Sequence, residues 1–263
     1  MSGTAHIYRA GRPDAEGPVV VFVHGAGHDH SVWNLPARYL ARHGYRVLAP
    51  DLPGHGQSAG PPLPSVEAMA RWLLALLAEQ GIAQATLAGH SMGSLIALEA
   101  AAQAGAAVEG LALIGTGVPM PVAPALIDAA RDNRAKAHAM INQWSFSPGA
   151  LIGRGAVPGQ LAPVGNLRLM ARQAEGVLHA DLLACDAYQG GLEAAARVTC
   201  PVLIVCGQRD QMTPPRNLGS LGDALSRDAS RLMIHTLDAC GHAIMAEQPD
   251  ALTDTLVHWR SSF

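Results

Sequence analysis

Six apolar runs of strand length, separated by stretches of helical periodicity, constrain this chain more than any other feature. They occupy residues 17–25 (GPVVVFVHG), 45–56 (YRVLAPDLPGHG), 84–91 (QATLAGHS), 108–117 (VEGLALIGTG), 200–210 (CPVLIVCGQRD) and 230–238 (SRLMIHTLD). Runs with so little polar alternation belong to strands buried on both faces, as in parallel sheets. Helical patterns fall at 31–43, 65–80, 92–104, 214–226 and 249–261. In the second of these, Ser65 precedes Glu67 in the first turn, and Met69, Leu73, Leu76 and Leu77 recur at helical spacing. Alternating β and α units predict an α/β fold built on a doubly wound, mostly parallel sheet.

The alternation stops between about 118 and 196. That region reads as helical pieces around a Pro/Gly-rich middle, FSPGALIGRGAVPGQLAPVG, with no convincing strand. An insertion of this size between two core strands is long enough to cover a site at the edge of the sheet. The whole, 263 residues with 49% hydrophobic and 15% charged, supplies ample material for a core. A net charge of −3 and the lack of a basic run argue against a nucleic-acid partner. The N-terminal segment lacks a signal-peptide pattern, and the longest apolar stretches fall far short of a membrane span. Cys185, Cys200, Cys206 and Cys240 form no C-x-x-C pair and read as reduced thiols. The expected location is therefore cytoplasmic, with no membrane partner.

At 85–102 an apolar run meets a knot of small residues and then a helix: ATLAGHSMGSLIALEAAA. Gly89-His90-Ser91-Met92-Gly93 has the form G-x-S-x-G. A strand-to-helix turn this tight forces its central residue into a strained conformation, and glycines two before and two after let strand and helix approach. It also lifts the serine hydroxyl above the sheet, at the positive end of the following helix. A plain glycine-containing turn would give the same five letters, so the rest of the chain has to decide.

A serine hydroxyl is a weak nucleophile at neutral pH and needs a base, which in turn needs an orienting acid. Asp210 lies just past the run VLIVCG, and His242 lies just past the last run and before the final helix. Sites in open parallel sheets form at the carboxyl ends of strands, so Ser91, Asp210 and His242 are the expected catalytic residues. An oxyanion needs N–H donors. The backbone of Met92, directly after the serine, is one candidate, and that of Ala26, in the glycine-flanked loop after the first run, is the other.

The segments HGAGHDHSVW, APDLPGHGQS, GHSMGS, VLIVCGQRDQMTPP and DACGHAIMAEQP together resemble the α/β-hydrolase fold superfamily, and its serine-nucleophile, esterase-like members in particular. The resemblance runs from about residue 17 to 262. It implies that His24-Gly25 opens the oxyanion loop, that DLPGHGQS is a structural loop, and that the chain divides into a core (1–117 and 197–263) and a helical cap (118–196) inserted after the fourth predicted core strand. Ser94 departs from the family, where glycine is frequent.

Other residues compete for roles. His24, His28 and His30 with Asp29 form H-x-x-x-H-D-H, which invites a metal reading. No matching ligand cluster appears at later strand ends, so no metal and no cofactor are expected. His90 is expected to support the site without reacting, Asp51 to serve its turn, and Asp238 is the alternative acid to Asp210. Substrate-binding candidates are Met140, Trp144, Leu151 and Met170 from the insertion, with Phe146 and Leu169 beside them, and Ile244 just past His242; the insertion residues fit the cap's own core equally well.

The expected function is a cofactor-free serine hydrolase of the carboxylesterase type, acting on a small or medium, rather apolar ester through an acyl-enzyme. Serine at 91 excludes the aspartate-nucleophile chemistries of the fold. Lactonase, thioesterase, C–C bond hydrolase and perhydrolase activities remain alternatives, as does a non-catalytic small-molecule binding protein. The expected partner is a small-molecule ester substrate, with a homodimer left open.

Overall fold

A computed structural model describes residues 4–11, 17–154, 161–226 and 231–263. Among these residues seven strands form one sheet in the order β1-β3-β2-β4-β5-β6-β7. They are β1 (Ile7–Ala10), β2 (Val19–Val23), β3 (Arg46–Pro50), β4 (Ala85–His90), β5 (Val108–Ile114), β6 (Val202–Gly207) and β7 (Leu232–Leu237). All neighbours pair in parallel except β1, which runs antiparallel to β3. Each of the six expected runs contains a strand. β1 was not expected: it is only four residues long, and Arg9 interrupts its apolar character. The start of the sixth run, Ser230, lies outside the described residues, as do 155–160 in the Pro/Gly-rich stretch.

The unbroken apolar runs follow from burial on both faces. In β2, Val19, Val21 and Val23 point into one core while Val20 and Phe22 point into the other, as alternation along a strand requires. The first core lies under α2 (Val66–Glu79, after α1, Asn34–Arg42) and α3 (Met92–Ala104). The second takes Ala37 and Leu40 of α1 with Leu252, Leu256 and Trp259 near the C-terminus. β7 is the exception, with Ile234, His235 and Thr236 exposed, because it is an edge strand with one neighbour and thin cover.

Ser65 caps α2 as its position suggested, its side chain accepting the Ala68 N–H. Two expected helices are each divided. A 3-10 turn at His30–Trp33 precedes α1, and another at Pro215–Asn217 precedes the helix at Gly219–Leu225. Between β5 and β6 come α4 (Pro124–Asp132), α5 (Arg134–Ser145), α6 (Pro148–Leu151), α7 (Ala162–Arg172), α8 (Val177–Ala187) and α9 (Gly191–Arg197). After β6 follow α10 (Gly219–Leu225), α11 (Ile244–Glu247) and α12 (Pro249–Arg260). Leu126, Ala129, Ala137, Ile141, Met170, Leu178 and Leu182 give the insertion a small core of its own. Ala194 and Ala195 of α9 instead join the first core beside α3, so the insertion ends on a helix of the main layer.

Candidate active site

The chain reverses its direction of travel across the sheet between β2 and β4, whose partners lie on opposite sides. Open α/β sheets place a crevice at such a point, outside the carboxyl ends of the strands. Ser91 stands there, between β4 and α3, with φ 54° and ψ −122°. Left-handed backbone is rare for a residue with a side chain and is strained by about 1–3 kcal/mol. The flanking glycines permit the turn. A Cβ on Gly89 would lie 2.0 Å from the Gly93 carbonyl oxygen, and one on Gly93 would lie 2.2 Å from that of Val23. Ser94, the departure from the usual glycine, braces the turn: its hydroxyl donates to the Ser91 carbonyl (2.6 Å) and shares a 2.8 Å hydrogen bond with Thr116.

Asp210 and His242, separated by 32 positions, meet in a 2.8 Å contact between Oδ2 and Nδ1. Both are buried. The turn after β6 satisfies the rest of the carboxylate: Oδ1 accepts the N–H groups of Met212 and Thr213, and Oδ2 accepts the Thr213 hydroxyl. Burial pushes Asp210 up, but the His242 charge and hydrogen bond, together with Thr213, outweigh it and hold the carboxyl at about 2. Asp238, the alternative acid, is exposed. His90 donates Nε2–H to the His242 carbonyl (2.9 Å), and burial, then the neighbouring His242, keep its own ring well below the ordinary histidine value. Glu247 accepts the Gly241 and Ser147 N–H groups, fixing the loop that carries His242.

Ser91, His90 and His242 line one cavity of about 790 Å³ together with Gly25 and Ala26 from the loop after β2. No hydrogen bond joins Ser91 to the imidazole among the described residues; such contacts in unliganded sites commonly tighten only when substrate binds. The Met92 N–H is the first of α3 and has no acceptor within the helix. The Ala26 N–H has no acceptor among the described residues. Its peptide plane is set from the other side, since the Gly25 carbonyl accepts His24 Nδ1–H (3.0 Å) and the His28 N–H (3.3 Å).

The histidine-rich motif does not converge. His24 also accepts the Leu52 N–H, His28 bonds Asn166, and His30 bonds Asp51. Burial, reinforced by His55, lowers His24 to about 4, so it is a neutral hydrogen-bonding ring. His6, His30 and Asp51 bring metal-type donors within 4.8 Å of one another, but Asp51 Oδ1 already accepts two bonds from His30. Asp51 also accepts the Gln57 N–H, which gives it the turn-forming part expected of it.

Of the expected substrate-binding residues, Trp144 lines the cavity, with Leu169 nearby on its wall. The other four lie elsewhere. Met170 is enclosed in the insertion's own core with Met140 packed against it, Leu151 packs beside Phe146 and Ala150, and Ile244 points into the second sheet core. Helical spacing could not separate a residue facing the cavity from one facing the insertion's interior. The walls also include Met120, Leu126, Ile141, Asn166 and Leu182.

Sequence reasoning missed a set of polar insertion residues that grip the core. Gln173 donates to Asp29 and accepts the Gly56 N–H, Arg172 pairs with Asp29, and Asp181 accepts from Gly27 and His55. The one available signal for Asp181 was an acid set mid-helix among apolar neighbours in the segment VLHADLLACDA.

The profile of the alpha/beta hydrolase family matches residues 20–255. Protein ABHD8 of Bos taurus is 27% identical over 245 residues, covering 91% of this chain and 55% of the relative. The chain thus spans about half the length of the curated relatives of that kind. Two solved structures are similar in fold. The enol-lactonase from Burkholderia xenovorans LB400 has a TM-score of 0.87 at 23% identity, over 98% of this chain and 96% of that one. A thermophilic esterase from Thermogutta terrifontis has a TM-score of 0.84 at 21% identity, over 98% and 93%.

Proposed function

The chain belongs to the alpha/beta hydrolase family, and from that premise we propose that it is a serine hydrolase cleaving a carboxylic ester through an acyl-enzyme. One observation carries this reading: a buried imidazole held at 2.8 Å by a carboxylate opens onto the same cavity as a serine on a strained strand-to-helix turn.

In this reading His242 removes the Ser91 proton as the hydroxyl attacks the ester carbonyl. Asp210 holds the ring so that Nδ1–H points at the carboxylate and Nε2 is free for the proton, and it stabilises the imidazolium that forms. The Ala26 and Met92 N–H groups receive the oxyanion. The alcohol leaves with the proton from His242, and water repeats the sequence on the acyl-enzyme. The segment 118–196 acts as a cap that encloses the substrate, and the chiefly apolar walls suit a small or medium, rather apolar ester. An esterase and an enol-lactonase among proteins of like fold are consistent with ester chemistry.

Replacing Ser91 by alanine should lower turnover of p-nitrophenyl butyrate by about a thousandfold or more. Retained turnover in that variant would refute the assignment.

A further inference from the structure

The geometry points to Asp181, on the cap helix α8, as a positioning residue that holds the oxyanion loop in place. This deepens the reading above and rests on it. Asp181 is completely buried. Its Oδ2 accepts the Gly27 N–H and the His55 Nε2–H, both at 2.8 Å. Gly27 directly follows Ala26, the proposed oxyanion donor. α8 comes so close at this point that a Cβ on Gly27, where φ is 66°, would lie 3.0 Å from Leu178 Cδ1. Leu182 and Cys185, further along the same face, line the cavity.

The protons can be counted. His55 Nδ1 lies 3.0 Å from the Pro53 carbonyl, which can only accept, so that nitrogen carries a proton. Its Nε2 meets an oxygen that already accepts the Gly27 N–H. Both contacts are satisfied at once by an imidazolium facing a carboxylate. Burial works against that charge, but the Asp181 carboxylate outweighs it and raises His55 above the ordinary histidine value. Asp181 Oδ1 meanwhile has no hydrogen-bond partner among the described residues. A buried acid with one unsatisfied oxygen is a poor choice for stability alone.

Two successive peptide planes are therefore fixed from opposite sides. His24 and the His28 N–H hold the Gly25 carbonyl, and with it the plane carrying the Ala26 N–H. Asp181 holds the next plane by its N–H. One clamp belongs to the core and the other to the cap, so the oxyanion donor is in register only when α8 is seated.

The test uses the full chain with Asp181→Ala and Asp181→Asn. Alanine removes the acceptor for Gly27. Asparagine keeps an amide oxygen that can take the Gly27 N–H but loses the charge opposite His55. On p-nitrophenyl butyrate, Asp181→Ala is expected to lose roughly 10- to 100-fold in kcat with KM changed less than about twofold, and Asp181→Asn to recover part of the loss. Affinity for a trifluoromethyl ketone, which forms an oxyanion on the serine, should fall in step with kcat. A folded Asp181→Ala with wild-type kcat would overturn the proposal, as would an Asp181→Asn no more active than a folded Asp181→Ala, or a loss confined to KM. Hydrogen exchange at the Gly27 amide, measured in the Ser91→Ala background, is independent of turnover. If wild type hydrolyses no ester, the functional reading fails by itself. Faster Gly27 exchange on loss of Asp181 then still supports the clamp, and unchanged exchange refutes it.

Discussion

At the scale of single residues, the acid of the candidate site is held by a complete set of hydrogen bonds. Asp210 spends both oxygens on four donors, three of them from Met212 and Thr213 in its own turn. Its folded pKa, about 2, lies below the ordinary 3.8. The bonds therefore contribute stability fully above pH 3.8, and that contribution disappears as the pH falls through about 2. It is on the order of 2 kcal/mol. Urea unfolding at steps from pH 5 to pH 2 should show the gap between wild type and Asp210→Asn shrinking over that range; a constant gap would contradict this. Ser91, Asp210 and His242 were legible because each follows an apolar run in fixed order. Asp181 and Gln173 were not, because a polar residue on or just after a helix of the insertion reads the same whether it faces solvent or a loop 100 or more positions away.

At the scale of elements, the junction between β4 and α3 leaves no room for a side chain on either flanking glycine. Gly93 →Ala would place a methyl group 2.2 Å from the Val23 carbonyl and 2.6 Å from that of His24. Neither backbone can yield without moving β2, so a loss of about 1–3 kcal/mol is expected. Thermal unfolding should show a clear drop in Tm, and hydrolysis should fall further than stability, because the loop carrying Ala26 leaves β2 at that point. An unchanged Tm would mean that the junction is looser than the contacts indicate. Strands β2 to β6 were readable because burial on two faces leaves few polar positions, and β7, although exposed at Ile234, His235 and Thr236, still begins with the apolar residues Leu232, Met233 and Ile234. β1 escaped because an antiparallel edge strand of four residues carries no such signature. The 3-10 turn at His30–Trp33 was absorbed into a helix because Val32 and Trp33 run on into the apolar pattern of α1, and the one at Pro215–Asn217 because Pro214 and Pro215 read as a helix start.

At the scale of the whole molecule, the insertion between β5 and β6 rests on the loops of the candidate site. One seam joins Asn166, Arg172, Gln173 and Asp181 to the loops after β2 and β3. Another joins the end of α5 to the His242 loop, through the Ala243 N–H on the Ser145 carbonyl and Glu247 on the Ser147 N–H. The cavity between these seams has Trp144 in its wall. Trp144→Ala should enlarge it and raise the preference for p-nitrophenyl octanoate over butyrate, in kcat/KM, by roughly tenfold. A preserved ratio would place the acyl chain elsewhere.

Ser91 carries an implication for how such a protein can vary. Its left-handed backbone suits glycine, so the fold by itself has no use for a side chain there. Mutational drift toward a sturdier molecule leads away from the hydroxyl, and only what the hydroxyl does can oppose it.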